Sequence, residues 1–262
     1  MPDYETILYE VQEGVAHLTL NRPERRNAMN PDLNRELLAG LQQAESDPQV
    51  RALLITGAGK GFCSGADLTI FQDRPSPDVV YDDIVNGLGP LVRTIVAMPK
   101  PVVAAVNGVA AGAGASLALA CDFRVLGHDA AMLMAFSNIG LVPDAGATWF
   151  LVRQIGFSRA FEFAAEGERL PADRCLELGL ANKVVPAEDL LDISLAWALR
   201  IAKRPTLALG KTKGALRFAQ LHDLQSTIEY EARRQQEAYQ SEDFVEGVSA
   251  FLQKRKPQFN GR

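Results

Sequence analysis

The chain has 262 residues, 47% hydrophobic, 23% charged and 7% aromatic. These are the proportions of a globular domain with a full core, and they exclude a disordered, collagen-like or disulfide-stapled polypeptide. Lys and Arg number 27 against 32 Asp and Glu, a net charge of −5, so no polycationic surface exists to neutralise a nucleic-acid backbone and no nucleic-acid partner is expected.

In chain order, Met1 to Glu10 carries Asp3, Glu5 and Glu10 with no basic stretch ahead of an apolar one, so it does not read as a secretory signal. Ile7–Glu10 and Val15–Leu20 read as strands. Asn30 can cap, and Pro31 can open, a helix running to Ser46. Ala52–Thr56 reads as a buried strand, Val79–Met98 as a helix stopped by Pro99, and Val102–Val106 as another buried strand. A short helix to Ala120, a strand at Phe123–Leu126, helices at Ala145–Gln154 and Ser158–Ala165, and a strand at Lys183–Val185 follow. From Asp189 onward the signal is helical, in four amphipathic segments: Leu190–Lys203, Thr206–Gln220, Leu224–Tyr239 and Phe244–Lys254. The fold class is therefore α/β, with a core over residues 1–188 and a helical C-terminal region over 189–262.

The longest apolar run, Pro101 to Cys121, is broken by Asn107 and three glycines, so no membrane span is expected. Cys63, Cys121 and Cys175 lie far apart, an odd count without C-x-x-C spacing, which suits reduced thiols in a cytoplasm.

Two glycine-rich turns stand out. Gly57-Ala58-Gly59-Lys60-Gly61-Phe62-Cys63-Ser64-Gly65-Ala66-Asp67-Leu68 follows the strand ending at Thr56, and Asn107-Gly108-Val109-Ala110-Ala111-Gly112-Ala113-Gly114-Ala115-Ser116 follows the strand ending at Val106. Neither spacing is that of a dinucleotide or phosphate loop. Glycines cost backbone entropy, and two such turns leaving neighbouring strands can aim one N–H each at a single oxygen. The alternative is a pair of turns that merely need positive φ.

These motifs, with Gly140-Leu141-Val142-Pro143-Asp144-Ala145-Gly146-Ala147 and Asn21-Arg22-Pro23, resemble the enoyl-CoA hydratase/isomerase (crotonase) superfamily in the same order over nearly the whole chain. The resemblance implies a crotonase-like spiral of β-β-α turns with a helical C-terminal trimerisation region. It implies an acyl-CoA thioester as the substrate partner, and coenzyme A arriving as part of that substrate with no separate cofactor. It places the enolate-stabilising N–H groups on Ala66 and Ala113, and implies a homotrimer or a dimer of trimers.

The departures are informative. The two positions at which family hydratases carry glutamates hold Ser116 and Phe136, neither of which can serve as a carboxylate base. Asp144 remains, and its alternative reading is an N-terminal helix cap. In family isomerases with this V-P-D pattern the Asp is the acid/base of a proton shuttle. Met134 to Asp144 and Glu246 to Phe259 further resemble the phenylacetate-degradation branch, whose members isomerise ring-1,2-epoxyphenylacetyl-CoA to the oxepin and move double bonds in enoyl-CoA intermediates. Phe136 and Trp149 would then line an apolar acyl pocket, the alternative being plain core packing.

By the same resemblance, coenzyme A would be held by Arg25, Arg26 and Ala28, by Ser64, Asp67 and Leu68, and by Phe251 and Lys254, the last pair in cis or from a neighbouring subunit. Each cation alone reads equally as a solvated surface charge. Gly114-Ala115-Ser116-Leu117-Ala118 approximates a nucleophile elbow, but His17, His128 and His222 are poorly placed to complete a triad. Their spacing also suggests no metal site. A serine hydrolase and a non-catalytic acyl-CoA binder are the other classes carried forward.

Overall fold

The computed structural model describes residues 4–72 and 74–262; Asp3, counted above among the N-terminal acids, lies outside them. In chain order the elements are β1 (Ile7–Gln12), β2 (Val15–Leu20), α1 (Pro31–Ser46), β3 (Ala52–Gly57), β4 (Gly61–Cys63), α2 (Pro77–Asp82), a π-helical turn (Asp83–Leu88), α3 (Gly89–Ala97), β5 (Val102–Val106) and β6 (Val109–Ala111). They continue with α4 (Ala113–Ala120), β7 (Phe123–Gly127), β8 (Ala131–Leu133), α5 (Ala147–Glu166), β9 (Arg169–Pro171), α6 (Ala172–Glu177), β10 (Lys183–Val185), α7 (Leu190–Ala202), α8 (Thr206–Ala219), α9 (Leu224–Tyr239) and α10 (Glu242–Leu252).

Successive turns of the chain send one strand to each of two sheets and then a helix around the outside. The larger sheet has the order β1-β2-β3-β5-β7-β10 and the smaller β4-β6-β8-β9. Pairing is parallel except for β1 with β2 and β8 with β9. This is the β-β-α spiral of a crotonase fold.

The strands β3 and β5 are apolar throughout because both faces are covered. Leu53 and Ile55 point into the main core with Leu33, Leu37, Leu41 and Phe62. Ala52 and Leu54 point the other way, into a second cluster closed by Leu190, Ala198 and Ile201 of α7. Beyond α7, Lys213 of α8 donates to the Ile95 carbonyl (2.8 Å) and Asp122 (2.7 Å), fastening that helix across the ends of α3 and β7. Among the described residues no helix is long and apolar enough to cross a membrane.

The helix expected over Val79–Met98 is present as an unbroken helical run through α2, the π turn and α3; its register changes at the π turn ahead of Pro90, which lacks the N–H a regular α-helix would use there. Some expected elements are corrected. The helix expected from Ala145 starts at Ala147, since Ala145 and Gly146 have φ of 47° and 80°. It breaks at Gly156 (φ 76°), so the expected pair of helices exists within α5. The three-residue strands β4, β6, β8 and β9 were too short for an alternating pattern to register.

Candidate active site

The site sits where the two glycine turns meet, at the carboxyl ends of β3 and β5. The first turn is clamped from inside. Asn27 is fully buried in the left-handed region (φ 56°), a conformation Asn tolerates better than most residues. Its amide donates to the carbonyls of Ala58 (3.0 Å), Gly61 (2.8 Å) and Phe62 (3.2 Å), while its oxygen accepts from the Arg22 N–H (2.9 Å). Asn107, from the second turn, donates to Gly59 (3.0 Å) and accepts from the Gly57 N–H (3.2 Å).

The turns then touch backbone to backbone, which is what the glycines are for. A methyl group at Gly65 would stand 2.8 Å from the Ala111 carbonyl oxygen and 3.4 Å from the Ala113 nitrogen, and one at Gly114 would stand 2.3 Å from the Cys63 carbonyl oxygen. Side chains at either position would push the turns apart.

That approach leaves two amides free. The residues flanking Ala66 are engaged with Met29, through Met29 N–H to Gly65 (2.7 Å) and Asp67 N–H to Met29 (2.8 Å). Ala113 opens α4, where the first N–H groups have no intrahelical acceptor. Among the described residues, neither the Ala66 nor the Ala113 N–H donates to a protein acceptor. Two unspent donors on adjoining turns are what a site for one oxyanion would require.

Asp144 is tied to the same spot through Ser116. The Ser116 hydroxyl is fully buried, donates to the Asp144 carbonyl at 3.0 Å and lies 3.3 Å from the Gly112 carbonyl. The Ala147 N–H donates to that Asp144 carbonyl as well (2.9 Å). The Asp144 carboxyl caps nothing: Gly146 is the residue before α5, and no side chain caps that helix. Its Oδ1 is buried without a hydrogen-bond partner. Burial, and after it the negative charge of Asp83, push the Asp144 carboxyl up to about 6. Phe136 is buried, its ring 3.7 Å from where a Gly112 methyl would be.

The other expected residues are distributed as follows. Arg25 and Arg26 are exposed on the short helical turn Pro23–Arg25 and its cap. Ser64, also exposed, joins that turn to the first glycine turn through its N–H to the Arg26 carbonyl (3.0 Å). Ala28 is buried and accepts from Arg22. Asp67 is buried, accepts from Thr69 (2.7 Å) and pairs with Arg22 (3.1 Å). The Thr69 hydroxyl first, and Arg22 with it, hold its carboxyl below the usual range against the cost of burial. Leu68 is exposed. Phe251, 82% exposed, and Lys254 lie at the end of α10.

Trp149 packs against the same apolar cluster that contains Phe136; its ring meets Phe150 edge-on, lies under the Arg153 guanidinium (4.3 Å) and lines a cavity of about 400 Å3 bounded by Leu119, Arg124 and Lys213. Ser116 is no nucleophile elbow, since its hydroxyl is buried and points at a carbonyl. Sequence reasoning passed over Arg22 and Asn27, whose signal was present in the N-R-P-E-R-R-N-A segment.

A family model described as enoyl-CoA hydratase/isomerase matches residues 10–262. The chain is 44% identical over 261 residues to the 1,2-epoxyphenylacetyl-CoA isomerase of Escherichia coli strain K12, covering 98% of this chain and 99% of that one. It is 38% identical over 251 residues to the 2,3-dehydroadipyl-CoA hydratase of the same organism, covering 96% and 97%. Among solved structures, an enoyl-CoA hydratase from Polaromonas sp. JS666 superposes with a TM-score of 0.92 at 38% identity, covering 97% of this chain and 99% of that one.

Proposed function

The chain belongs to the enoyl-CoA hydratase/isomerase (crotonase) family, as an isomerase, and from that premise we propose that it moves a proton along an acyl-CoA thioester through an enolate. The observations that carry this reading are two free N–H groups, on Ala66 and Ala113 of the adjoining glycine turns, an unpartnered Asp144 carboxyl whose main chain is held by Ser116 of α4, and no carboxyl at positions 116 and 136.

The thioester oxygen sits between the two N–H groups, which stabilise the negative charge as it develops; one such donor is worth roughly 3–4 kcal/mol of barrier. Asp144 takes a proton from the α-carbon, the C–H electrons passing into the enolate, and returns it to the far end of the allylic system, shifting the double bond into conjugation. Atoms and charge balance with one carboxyl and no water. Phe136 keeps the acyl end apolar and dry, which suits an aromatic ring or its unsaturated remnant.

The relative named for 1,2-epoxyphenylacetyl-CoA supports that ring epoxide as the acyl group, with Asp144 assisting epoxide opening and ring expansion to the oxepin. Coenzyme A enters as part of the substrate, with Arg25, Arg26 and Lys254 for its phosphates, Ala28, Ser64 and Asp67 along the turn, and Leu68 and Phe251 against its adenine. The exposed Phe251, far along the helical region 189–262 from the spiral core 1–188, favours a homotrimer or pair of trimers in which a neighbour supplies Phe251 and Lys254. The proposal places the protein in the cytoplasm. Incubation with 1,2-epoxyphenylacetyl-CoA tests the acyl assignment: ring-expanded product supports it, and unchanged substrate under conditions that isomerise a simple 3-enoyl-CoA removes it.

A further inference from the structure

We infer that Asp243 is a positioning residue for the coenzyme A end of the substrate: with Arg51 it clasps residues 255–262 between α10 and the core, and this clasp sets where α10 presents Phe251 and Lys254. The inference rests on reading Phe251 and Lys254 as coenzyme A contacts.

Packing alone does not fix α10. Of its residues only Asp243 and Ala250 are buried, while Val245, Val248, Phe251 and Leu252 are exposed, so little apolar area holds the helix. Tyr239 meets Phe244 at the α9–α10 corner, their ring centroids 4.5 Å apart. Beyond that corner a cavity of about 410 Å3 lies between Ala208 of α8, Tyr239 of α9 and Phe244, Val248 and Phe251 of α10, with Phe259 on its wall.

The chain after α10 supplies what packing does not. Lys254 has a φ of 52°, and the next residue, Arg255, meets Glu246 through two bonds, Nη1 to Oε1 (2.6 Å) and Nη2 to Oε2 (2.7 Å). Residues 258–262 then run back along α10 toward its start. The Gln258 N–H donates to Glu246 Oε1 (2.7 Å), the Asn260 N–H to Asp243 Oδ1 (2.7 Å) and the Gly261 N–H to Asp243 Oδ2 (2.9 Å), while the Asp243 N–H donates to the Arg262 carbonyl (2.9 Å). A methyl at Gly247 would stand 3.5 Å from the Phe259 ring, so the returning segment lies close against the helix. Asp243, 4% exposed, thus spends both carboxylate oxygens on the returning backbone, and N–H bonds to a charged acceptor are the strong kind.

Arg51 joins this assembly to the core. It directly precedes β3, and its guanidinium donates to the Phe259 carbonyl (2.6 Å), the Arg204 carbonyl (2.6 Å) and the Thr206 hydroxyl (2.9 Å). One planar group with several fixed donors ties the returning segment to the α7–α8 junction and to the larger sheet. Asp243 holds α10 to the segment, and Arg51 holds the segment to the core. Loosening either frees α10 to shift Phe251 and Lys254.

The test compares two thioesters of one 3-enoyl acid, on coenzyme A and on N-acetylcysteamine, which lacks the nucleotide. KM is measured for both with the full chain as wild type, Asp243→Asn, Asp243→Ala and Arg51→Gln, and amide hydrogen exchange at Asn260 and Gly261 reports whether the clasp has opened. The expected result is faster exchange in the variants together with a rise of about tenfold in the ratio of the coenzyme A ester KM to the N-acetylcysteamine ester KM, the size of one lost hydrogen bond to a charged group. A merely structural role would lower stability and leave that ratio in place. An unchanged ratio in a folded variant whose clasp has opened overturns the inference, as does undiminished protection of Asn260 and Gly261 in Asp243→Ala. Phe251→Ala and Lys254→Ala test the underlying reading: if both leave the ratio unchanged, α10 does not hold coenzyme A, a failure distinct from the first. Asp243→Asn and Arg51→Gln keep the result available if Asp243→Ala does not fold.

Discussion

The Ser116 hydroxyl donates to the Asp144 carbonyl across 3.0 Å, at the position where family hydratases carry a glutamate. One small side chain thus fills the space a second carboxylate would occupy and fixes the main chain that carries the remaining one. The hydroxyl is buried with both its neighbours, and the loss of such a bond costs about 1 kcal/mol net, more when an acceptor is left without a donor. Ser116→Ala leaves Asp144 with only the Ala147 N–H at its carbonyl. We expect about 1 kcal/mol less stability in denaturant unfolding and a fall in kcat exceeding any change in KM. A KM-only effect would show that the contact serves binding.

The glycine turns make a sharper demand. Gly114→Ala puts a methyl 2.3 Å from the Cys63 carbonyl oxygen, so the turns must separate, and with them the Ala66 and Ala113 N–H groups. Overpacking of this kind costs about 1–3 kcal/mol, and the loss of one oxyanion donor costs about a hundredfold or more in kcat. A folded Gly114→Ala protein, verified by circular dichroism, should therefore be nearly inactive while still binding coenzyme A. Retained turnover would place the oxyanion donors elsewhere.

Asn27 carries the first turn from within. Asn27→Ala removes the donor of three carbonyls and leaves a non-glycine residue without the Asn preference at φ 56°. The expected loss is on the order of 3 kcal/mol, read as a lowered urea midpoint at unchanged slope. A loss within experimental error of zero would mean the turn holds itself.

The pH dependence follows from Asp144. Its carboxyl is raised to about 6, chiefly by burial, so the base form accumulates as pH rises through about 6, and kcat should rise with it to a plateau above pH 7. The same elevation sets the sign for stability. Below the unfolded-state value near 4, both states are protonated and the site costs nothing. Above 6 both are ionised and the folded state bears the penalty, on the order of 2 kcal/mol after allowance for partial exposure. Asp144→Asn should therefore raise Tm at pH 8 and leave it unchanged near pH 3. A lowered Tm at pH 8 would contradict the unpaired, desolvated carboxyl.

Much of this was legible in the sequence, for physical reasons that differ from residue to residue. Continuous apolar runs such as Ala52–Thr56 and Val102–Val106 announce strands covered on both faces, and Asn30-Pro31 announces a helix start that the structure realises with Asn30 accepting from Leu33 N–H at 2.9 Å. The glycine turns and the V-P-D segment marked the site because backbone approach and an acid in apolar company leave compositional traces. What stayed hidden depends on long-range geometry. Trp149 looks like an acyl-pocket residue by type, and only the course of α5 shows that its ring also lines a cavity with Arg124 and Lys213. Asp67, read with the coenzyme A group, proves to have its carboxylate engaged by Thr69 and Arg22, a pairing 45 residues apart in sequence.

The central claim is that one carboxyl, Asp144, moves the proton that the Ala66 and Ala113 N–H groups have made acidic. The most direct measurement is conversion of a 3-enoyl-CoA to its conjugated 2-enoyl isomer by the wild type and by Asp144→Asn, with coenzyme A ester binding measured for both. The account predicts turnover by the wild type, a loss of most of it in the variant, and equal binding. Near-normal turnover by Asp144→Asn, or tight binding without conversion by the wild type, would contradict it.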